Sequence, residues 1–195
     1  MNETVQHVIA AIRENRRKFE EFCSSLSEEQ LARPVPDSTW IVKDFVTHLA
    51  TLDPLFDGFL GVVERGGQID MSRDGSGAPF DLDAWNDGQV AERRDWPIAR
   101  IFAETAAHRE KLIESLGRLD EEQIGRSMHY TGGKHEAADF PLKAFLVGWA
   151  QHDPIHAADM LKALPELADD AALTSWLANP FVSGYQASMS GPASG

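Results

Sequence analysis

The sequence predicts an all-α protein, namely a four-helix bundle with a short extra helix near the C-terminus. Four long segments repeat apolar side chains at spacings of three, four and seven residues, which is the period of a half-buried helix. The segments that separate them carry glycine and proline, the residues that end helices. A length of 195 residues suits one full core better than two. We therefore expect a bundle over residues 1–165, followed over residues 166–195 by a short helix and a flexible tail.

The first two helices are predicted over residues 4–26 and 41–65. The break between them contains two prolines, and Ser38 or Thr39 could cap the second helix. That helix ends where Gly66 and the next glycine tolerate left-handed backbone. The apolar stripes consist of Val5, Val8, Ile9, Ile12, Phe19, Phe22 and Leu26 in the first helix, and of Phe45, Leu49, Leu52, Phe56, Phe59 and Val63 in the second.

The third helix is predicted over residues 81–119, and Pro97 should break or kink it. The fourth helix is predicted over residues 140–163, and the short extra helix over residues 169–177. Residues 124–139, which connect the third helix to the fourth, show neither a helix nor a strand period, so their conformation stays open. The buried side of the third helix is marked by Ile101, Thr105, Leu112 and Leu116.

The connections between the long helices carry two further signals. The glycine-bearing loop over residues 66–79 has few apolar anchors, so it is either a lid beside a pocket or a plain surface linker. Residues 26–31 and 119–124 both contain a capping box, in which Ser or Asp is followed three residues later by Gln. This echo indicates either a common local motif or two similar helical hairpins.

Composition and charge exclude several classes of protein. The chain has 31 acidic and 18 basic side chains, and a net charge of −13 argues against binding to nucleic acid. No apolar run approaches the roughly 20 residues that a membrane span needs, and the N-terminus lacks a secretory signal. We therefore expect a cytoplasmic protein that binds no membrane. Cys23 is the only cysteine and lies on the apolar side of the first helix, so core packing is its expected role.

Two histidines continue the apolar stripe of the fourth helix. Phe145, Trp149, His152, His156 and Met160 follow one another in steps of four, three, four and four residues. Both imidazoles therefore occupy positions where the pattern requires core residues. A separation of four residues places them on one helical face, about one turn apart, which is close enough to bind a single ion.

His48 could supply a third ligand, because it lies three residues after Phe45 at the inner edge of the second stripe. A buried polar group without a partner costs about 1–3 kcal/mol, and a shared divalent metal would provide partners for all three imidazoles. The alternative is that each histidine hydrogen-bonds a backbone carbonyl or a carboxylate. His108 also lies on a core stripe, where it could be a fourth ligand or a pocket wall, although a satisfied core histidine is the better interpretation.

Three segments together resemble the DinB/YfiT-like superfamily, which includes mycothiol-dependent maleylpyruvate isomerases and bacillithiol transferases. They are Trp40-Ile-Val-Lys-Asp44, then His48-Leu49, and about a hundred residues later His152-Asp-Pro-Ile-His156. The resemblance covers residues 1–165. It implies an up-down-down-up bundle, often dimeric, so a homodimer is expected. It also implies a divalent metal at one end of the core, with His48, His152 and His156 at the ligand positions.

One departure from the pattern is Pro154, which stands between the two ligands of the fourth helix. It cannot donate a hydrogen bond to the carbonyl of Ala150, so it should kink the helix there.

Other side chains are candidates for roles around the metal. Trp40 and the pair Trp85-Asn86 could wall the pocket, although core packing and helix initiation are the simpler interpretations. Asp44, one turn before His48, could orient an imidazole. Asp153 and Asp159 are further candidates, but acidic residues on such a polar helix are usually solvated.

Three histidines leave a tetrahedral ion one open position, which is typical of a catalytic site. The chain itself offers no recognisable nucleophile motif. In one interpretation, which the resemblance favours, the metal activates a low-molecular-weight thiol for a transferase or isomerase reaction on a small molecule. In another, metal-activated water hydrolyses a small reactive compound, and a third possibility is a non-catalytic binding bundle. Imidazole ligands do not distinguish the metal; zinc is the first expectation and nickel the second.

Overall fold

A computed structural model describes residues 2–74, 76–131 and 136–190 of the chain. The predicted helical fold is confirmed, with a small added β-hairpin. No helix in these ranges is long and apolar enough to cross a membrane. The elements are α1 Glu3–Ser24, α2 Glu28–Leu31, α3 Val42–Glu64, α4 Leu82–Arg93, α5 Ile98–Arg118, α6 Glu121–Gly125, β1 Ser127–Tyr130, β2 Ala138–Pro141, α7 Leu142–Trp149, α8 His152–Leu161, α9 Ala171–Leu177 and α10 Pro180–Ser190.

Two apolar clusters, one at each end of the bundle, define the direction of the long helices. The first contains the N-terminal half of α1, the C-terminal halves of α3 and α5, and α7. The second contains the C-terminal half of α1, the N-terminal half of α3 and α8, and the start of α5 packs against it. The first and fourth bundle helices therefore run in one direction, and the second and third run in the opposite one. This is the up-down-down-up order that the resemblance implies.

The predicted third helix is divided at Pro97 into α4 and α5. Pro97 is the residue immediately before α5, where its missing N–H leaves no helical hydrogen bond unmade. α4 crosses beside α3, and only α5 is a member of the bundle. The predicted break is confirmed.

The start of α3 differs from the prediction. Neither Ser38 nor Thr39 caps it; instead the side chain of Asp44 accepts a hydrogen bond from the backbone N–H of Ile41 at 3.1 Å. Ser38 accepts from the N–H of Trp40 in the preceding turn. The cap prediction was wrong. The carboxylate of Asp44, in the first turn of α3, accepts the hydrogen bond of the backbone N–H that precedes the helix, so this N–H is paired without a serine or threonine cap.

The predicted fourth helix is interrupted between α7 and α8. Pro154 has no N–H to donate to the carbonyl of Ala150, as expected. The side-chain amide of Asn15 on α1 donates to that carbonyl instead, at 2.7 Å. The side-chain oxygen of Asn15 also accepts a hydrogen bond from the indole of Trp176, at 3.0 Å. One buried amide therefore completes the helix break and ties α9 to the bundle.

A layer of buried ionic side chains separates the two apolar clusters. Arg16 on α1 donates from Nε and Nη2 to the two carboxylate oxygens of Asp153 on α8, at 3.0 and 2.9 Å. The same Nη2 donates to the carbonyl of Leu49 on α3, at 3.0 Å. Arg109 on α5 donates to Asp53 on α3 at 2.6 Å. These bonds connect all four bundle helices at the middle of the bundle.

The connections are more ordered than the sequence suggests. Both predicted capping boxes form, and they begin α2 and α6. In the connection whose conformation was open, β1 and β2 form an antiparallel hairpin. The loop over residues 66–79 has two buried apolar anchors, Ile69 and Met71. Their backbones exchange hydrogen bonds with His129 of β1, at 2.8 and 3.0 Å.

The segment after the bundle contains two helices. The first, α9, confirms the predicted short helix. The second, α10, lies where a flexible tail was expected. It packs on α8, where Val182 is buried and Gln186 donates to Asp159 at 2.9 Å. Residues 191–195 of the expected tail lie outside the described residues.

Replacing Asn15 should destabilise the fold. In Asn15→Ala, the carbonyl of Ala150 and the indole N–H of Trp176 both lose a buried partner, so the free energy of unfolding should fall by about 1–3 kcal/mol. Urea unfolding measures this change. Glu114→Ala on the exposed face of α5 is the control and should change stability by less than about 0.5 kcal/mol. Equal stabilities for the two variants would contradict this account of the helix break.

Candidate metal centre

Three imidazoles from two facing helices meet at one side of the bundle. His48 projects from α3, and His152 and His156 project from α8. One ring nitrogen from each can be chosen so that all three lie within 4.8 Å of one another. The ring centroids are 4.7 to 5.4 Å apart. The structure therefore brings together the three histidines that the sequence singles out.

His152 is positioned by its neighbours in the chain. It is the first residue of α8 and follows the helix break. At this break, the carbonyl of Ala150 accepts a hydrogen bond from the side chain of Asn15. The next residue, Asp153, is held by Arg16 through two hydrogen bonds. Consecutive residues of α1 thus fix the backbone on both sides of His152.

His156 is oriented by Asp159 one turn later. Its Nδ1 lies 3.0 Å from a carboxylate oxygen of Asp159. Because a carboxylate only accepts, Nδ1 carries a proton, and in the neutral imidazole the lone pair is therefore on Nε2. Asp159 is itself held by Lys162 at 2.8 Å and by Gln186 at 2.9 Å. Burial alone would raise the pKa of Asp159. The hydrogen bonds from His156, Lys162 and Gln186 outweigh this effect and lower the pKa to about 2.

His48 occupies the buried side of the cluster. Its Nδ1 and the side-chain oxygen of Asn86 are both buried, and neither makes a hydrogen bond of good geometry among the described residues. The indole of Trp40 packs against its ring at a centroid distance of 5.0 Å. The carboxylate of Asp44 bonds the start of α3 and lies 3.7 Å from Arg94, so it does not orient an imidazole here.

Burial favours the neutral form of two of the imidazoles, those of His48 and His152. Burial lowers the pKa of His48 well below its ordinary value of 6.5, and the neighbouring His156 adds to this, while Asn86 opposes it. Burial also lowers the pKa of His152, and His156, His48 and two arginines add to this effect. Neutral imidazoles keep a lone pair for a metal, so the protonation state fits a divalent ion.

The distance between two of the imidazoles also fits a metal ion. Nε2 of His152 lies 3.0 Å from Nε2 of His156. Two lone pairs this close repel one another unless a proton or a cation lies between them. Two imidazoles on one tetrahedral ion, with metal–nitrogen bonds of about 2.0–2.1 Å, would place these nitrogens roughly 3.3 Å apart. The donor set and its spacing therefore fit a divalent metal without large rearrangement.

Two candidates from the sequence lie outside the site. His108 is exposed, so its assignment as a core or pocket residue was wrong. The buried face of α5 passes through Thr105, Arg109 and Leu112, and the arginine turns inward because Asp53 is buried opposite it. Asp153 bonds Arg16 rather than an imidazole.

A cavity of about 1480 Å³ opens onto the three histidines. Trp40 and Asn86 line it, in agreement with the pocket-wall alternative rather than with the simpler interpretations, whereas Trp85 does not line it. Trp40 also donates from its indole N–H to Asp87 on α4, at 3.0 Å. Large aromatic side chains line the part of the cavity that extends from His152 toward the β-hairpin. The site therefore has room for a molecule beyond a single ion.

Several residues of the site gave no recognisable signal in the sequence. Tyr185 and Gln186 come from α10, and the ring of Tyr185 lies 6.2 Å from that of His156. Burial raises the pKa of Tyr185 to about 12, and the charge of Asp159 adds to this. Lys162 reaches the same carboxylate from the end of α8. Lys162 could have been found from its spacing of three residues to Asp159, but α10 has too few apolar residues to predict.

Comparisons with known proteins agree with this fold. Residues 12–160 match the family model described as the mycothiol maleylpyruvate isomerase N-terminal domain. No curated protein matches the chain. YfiT from Bacillus subtilis, described as a probable metal-dependent hydrolase with an unusual four-helix bundle topology, is 15% identical with a TM-score of 0.63, and the alignment covers 86% of this chain and 88% of that one.

Two further similar structures are those of a mycothiol-dependent maleylpyruvate isomerase and of a histidine-to-alanine variant of this isomerase. They are 10% and 9% identical to the chain, both with a TM-score of 0.59. Each alignment covers 82% of this chain but only 63% of the isomerase chain. At these identities the likeness concerns the fold.

The buried histidines should make the metal-free protein sensitive to mild acid. Because the pKa values of His48 and His152 are lower in the folded state, the unfolded chain binds more protons below pH 6.5. Stability should therefore fall as the pH drops from 7 to 5, by up to about 1.4 kcal/mol per pH unit for each histidine. Urea unfolding in chelator at several pH values measures this slope.

His152→Gln should reduce the slope, since one buried titrating group is lost. His108→Gln removes an exposed imidazole and should leave the slope close to that of the wild type. A wild-type stability that is constant between pH 7 and 5 would contradict the burial of neutral imidazoles.

Proposed function

Since this chain belongs to the mycothiol maleylpyruvate isomerase N-terminal domain family, we propose that it is a divalent-metal-dependent enzyme that uses a low-molecular-weight thiol. The reaction would be a transfer or an isomerisation on a small molecule. The observation that carries the proposal is the cluster of three imidazoles at the wall of a large cavity. The name of the matching family supports mycothiol, or a related thiol, as the co-substrate.

The residues that would hold the metal are His48, His152 and His156. A bound divalent ion would supply Lewis-acid activation, which favours loss of the proton from a thiol or water molecule beside the substrate. Asp159 keeps the proton of His156 on Nδ1, so that Nε2 stays available as a ligand. Zinc is the first expectation and nickel the second, because imidazole ligands accept both.

A thiol that reacts at this site would have to come from outside the chain. Cys23, the only cysteine, is completely buried in the apolar cluster that contains the C-terminal half of α1. Burial raises the pKa of its thiol well above the ordinary value, so it is a poor nucleophile. A soluble thiol can enter the cavity, whereas Cys23 does not line it.

A second candidate function is hydrolysis by metal-activated water. It is favoured by the likeness to YfiT, which is described as a probable metal-dependent hydrolase and whose fold this chain matches over most of both lengths. The same three histidines would hold the metal in both reactions. The two functions differ in whether turnover requires a thiol. The expected homodimer and cytoplasmic location stay predictions.

The decisive assay offers a panel of electrophiles, including haloaromatics, epoxides and enones, with mycothiol, bacillithiol or glutathione in separate reactions. We expect metal-loaded wild-type protein to consume at least one thiol together with an electrophile. His152→Ala should lose at least about 100-fold of this activity, because a metal ligand is removed. His108→Ala is the matched control and should retain full activity, since its imidazole is exposed away from the cavity.

Two outcomes contradict the thiol-dependent proposal. Turnover of an electrophile at the same rate without any thiol would indicate the hydrolase. Thiol consumption that is equal in wild type and in His152→Ala would show that the three-histidine site is not responsible.

A further inference from the structure

Five aromatic side chains form a continuous wall that leads away from the histidines. We call this wall, which consists of Phe56, Tyr130, Phe140, Phe145 and Trp149, the aromatic arm of the cavity. Trp149 begins it, with its ring 5.2 Å from that of His152.

The rings of the aromatic arm contact one another in sequence. Phe56 stacks on Trp149 at a centroid distance of 4.5 Å and an interplanar angle of 23°. Phe145 lies 5.7 Å from Trp149 and 6.3 Å from Phe140. Tyr130 closes the series at 6.0 Å from Phe140. Phe56 is buried and supports Trp149, whereas the other four rings are partly exposed, so a planar ligand can stack against them.

The described charged side chains that line the cavity are mostly acidic. Among the described lining residues, four are acidic, namely Asp37, Asp83, Glu136 and Asp159, and one, Lys162, is basic. The ammonium group of Lys162 is already bonded to Asp159 at 2.8 Å. An anionic ligand in the aromatic arm would therefore lose its hydration and find no cation among these residues to replace it.

We propose that the aromatic arm binds an uncharged aromatic or similarly planar apolar group, which is the part of the substrate next to the reacting centre. The inference rests on the proposed function, since it takes this cavity to be the substrate site. The aromatic faces bind the apolar group, and the acidic lining disfavours carboxylates of the same shape. Specificity therefore has two sources, the attraction of an apolar group by the aromatic rings and the repulsion of a carboxylate by the acidic side chains.

Gly148 provides a direct way to test the aromatic arm. It lines the cavity within α7, and a Cβ added there would meet no heavy atom within 4 Å. Gly148→Leu should therefore fill the space without removing any ring, and leucine favours the helix more than glycine does. Gly58 in α3 is a matched control, because its Cβ would also meet nothing and it does not line the cavity.

The experiment compares two probes of nearly equal shape, the neutral 2-acetylnaphthalene and the anionic 2-naphthoate, by isothermal titration calorimetry on the full chain. Each titration is performed with and without chelator, because a carboxylate can also bind a metal directly. We expect the neutral probe to bind at least tenfold more tightly than the anion in chelator. Gly148→Leu should weaken binding of the neutral probe at least tenfold, and Gly58→Leu should leave it unchanged.

Equal or tighter binding of 2-naphthoate in chelator would overturn the proposal. So would binding of the neutral probe that Gly148→Leu does not weaken, in a variant whose circular dichroism and unfolding midpoint match those of Gly58→Leu. Neither thiol nor metal takes part in this measurement. A failure of the thiol-dependent function would therefore leave its result unchanged, and a failure here would leave thiol consumption unchanged.

Discussion

The interruption of the fourth bundle helix is the feature on which the geometry of the candidate metal centre depends. Pro154 removes one helical hydrogen bond, and the side chain of Asn15 supplies the missing donor to Ala150. The next residue of α1, Arg16, binds Asp153 through two charge-assisted hydrogen bonds. Because His152 lies between these two attachments, its backbone is fixed relative to α1. Breaking such a buried ion pair typically costs about 3–5 kcal/mol, so the arrangement is stable only as a unit.

The three histidines are largely buried and lie close together, and a bound metal ion would provide a partner for the ring nitrogens that face one another. Burial lowers the pKa values of His48 and His152, which keeps both imidazoles neutral near pH 7. The Nε2 atoms of His152 and His156 lie 3.0 Å apart, a separation that needs a proton or a cation between the two lone pairs, and the buried Nδ1 of His48 makes no hydrogen bond of good geometry among the described residues. A divalent ion at this point would form ligand bonds with all three imidazoles. The carboxylate of Asp159, which holds the proton of His156 on Nδ1, would then orient that imidazole toward the metal.

The sequence predicts the fold and the three histidines because both depend on a periodic pattern. The heptad-like steps through Phe145, Trp149 and His152 place imidazoles on a core face whatever the details of packing. The same reasoning fails for His108. The helical period allows either residue 108 or residue 109 to face inward, and Arg109 does so because it donates a hydrogen bond to the buried Asp53. The helix α10 could not be predicted, since its stability comes from contacts with α8 rather than from an apolar stripe.

The central claim is that these three histidines bind one divalent ion and leave it an open position. X-ray absorption spectroscopy of the zinc-loaded protein, together with its metal content, tests this directly. We expect one zinc per chain, bound by three imidazole nitrogens at about 2.0–2.1 Å and by one oxygen atom of solvent at the open position. The His108→Ala variant should give the same spectrum, and the His156→Ala variant should lose the metal. A wild-type protein that binds no zinc under replete conditions, or a first shell without imidazole, would contradict the account.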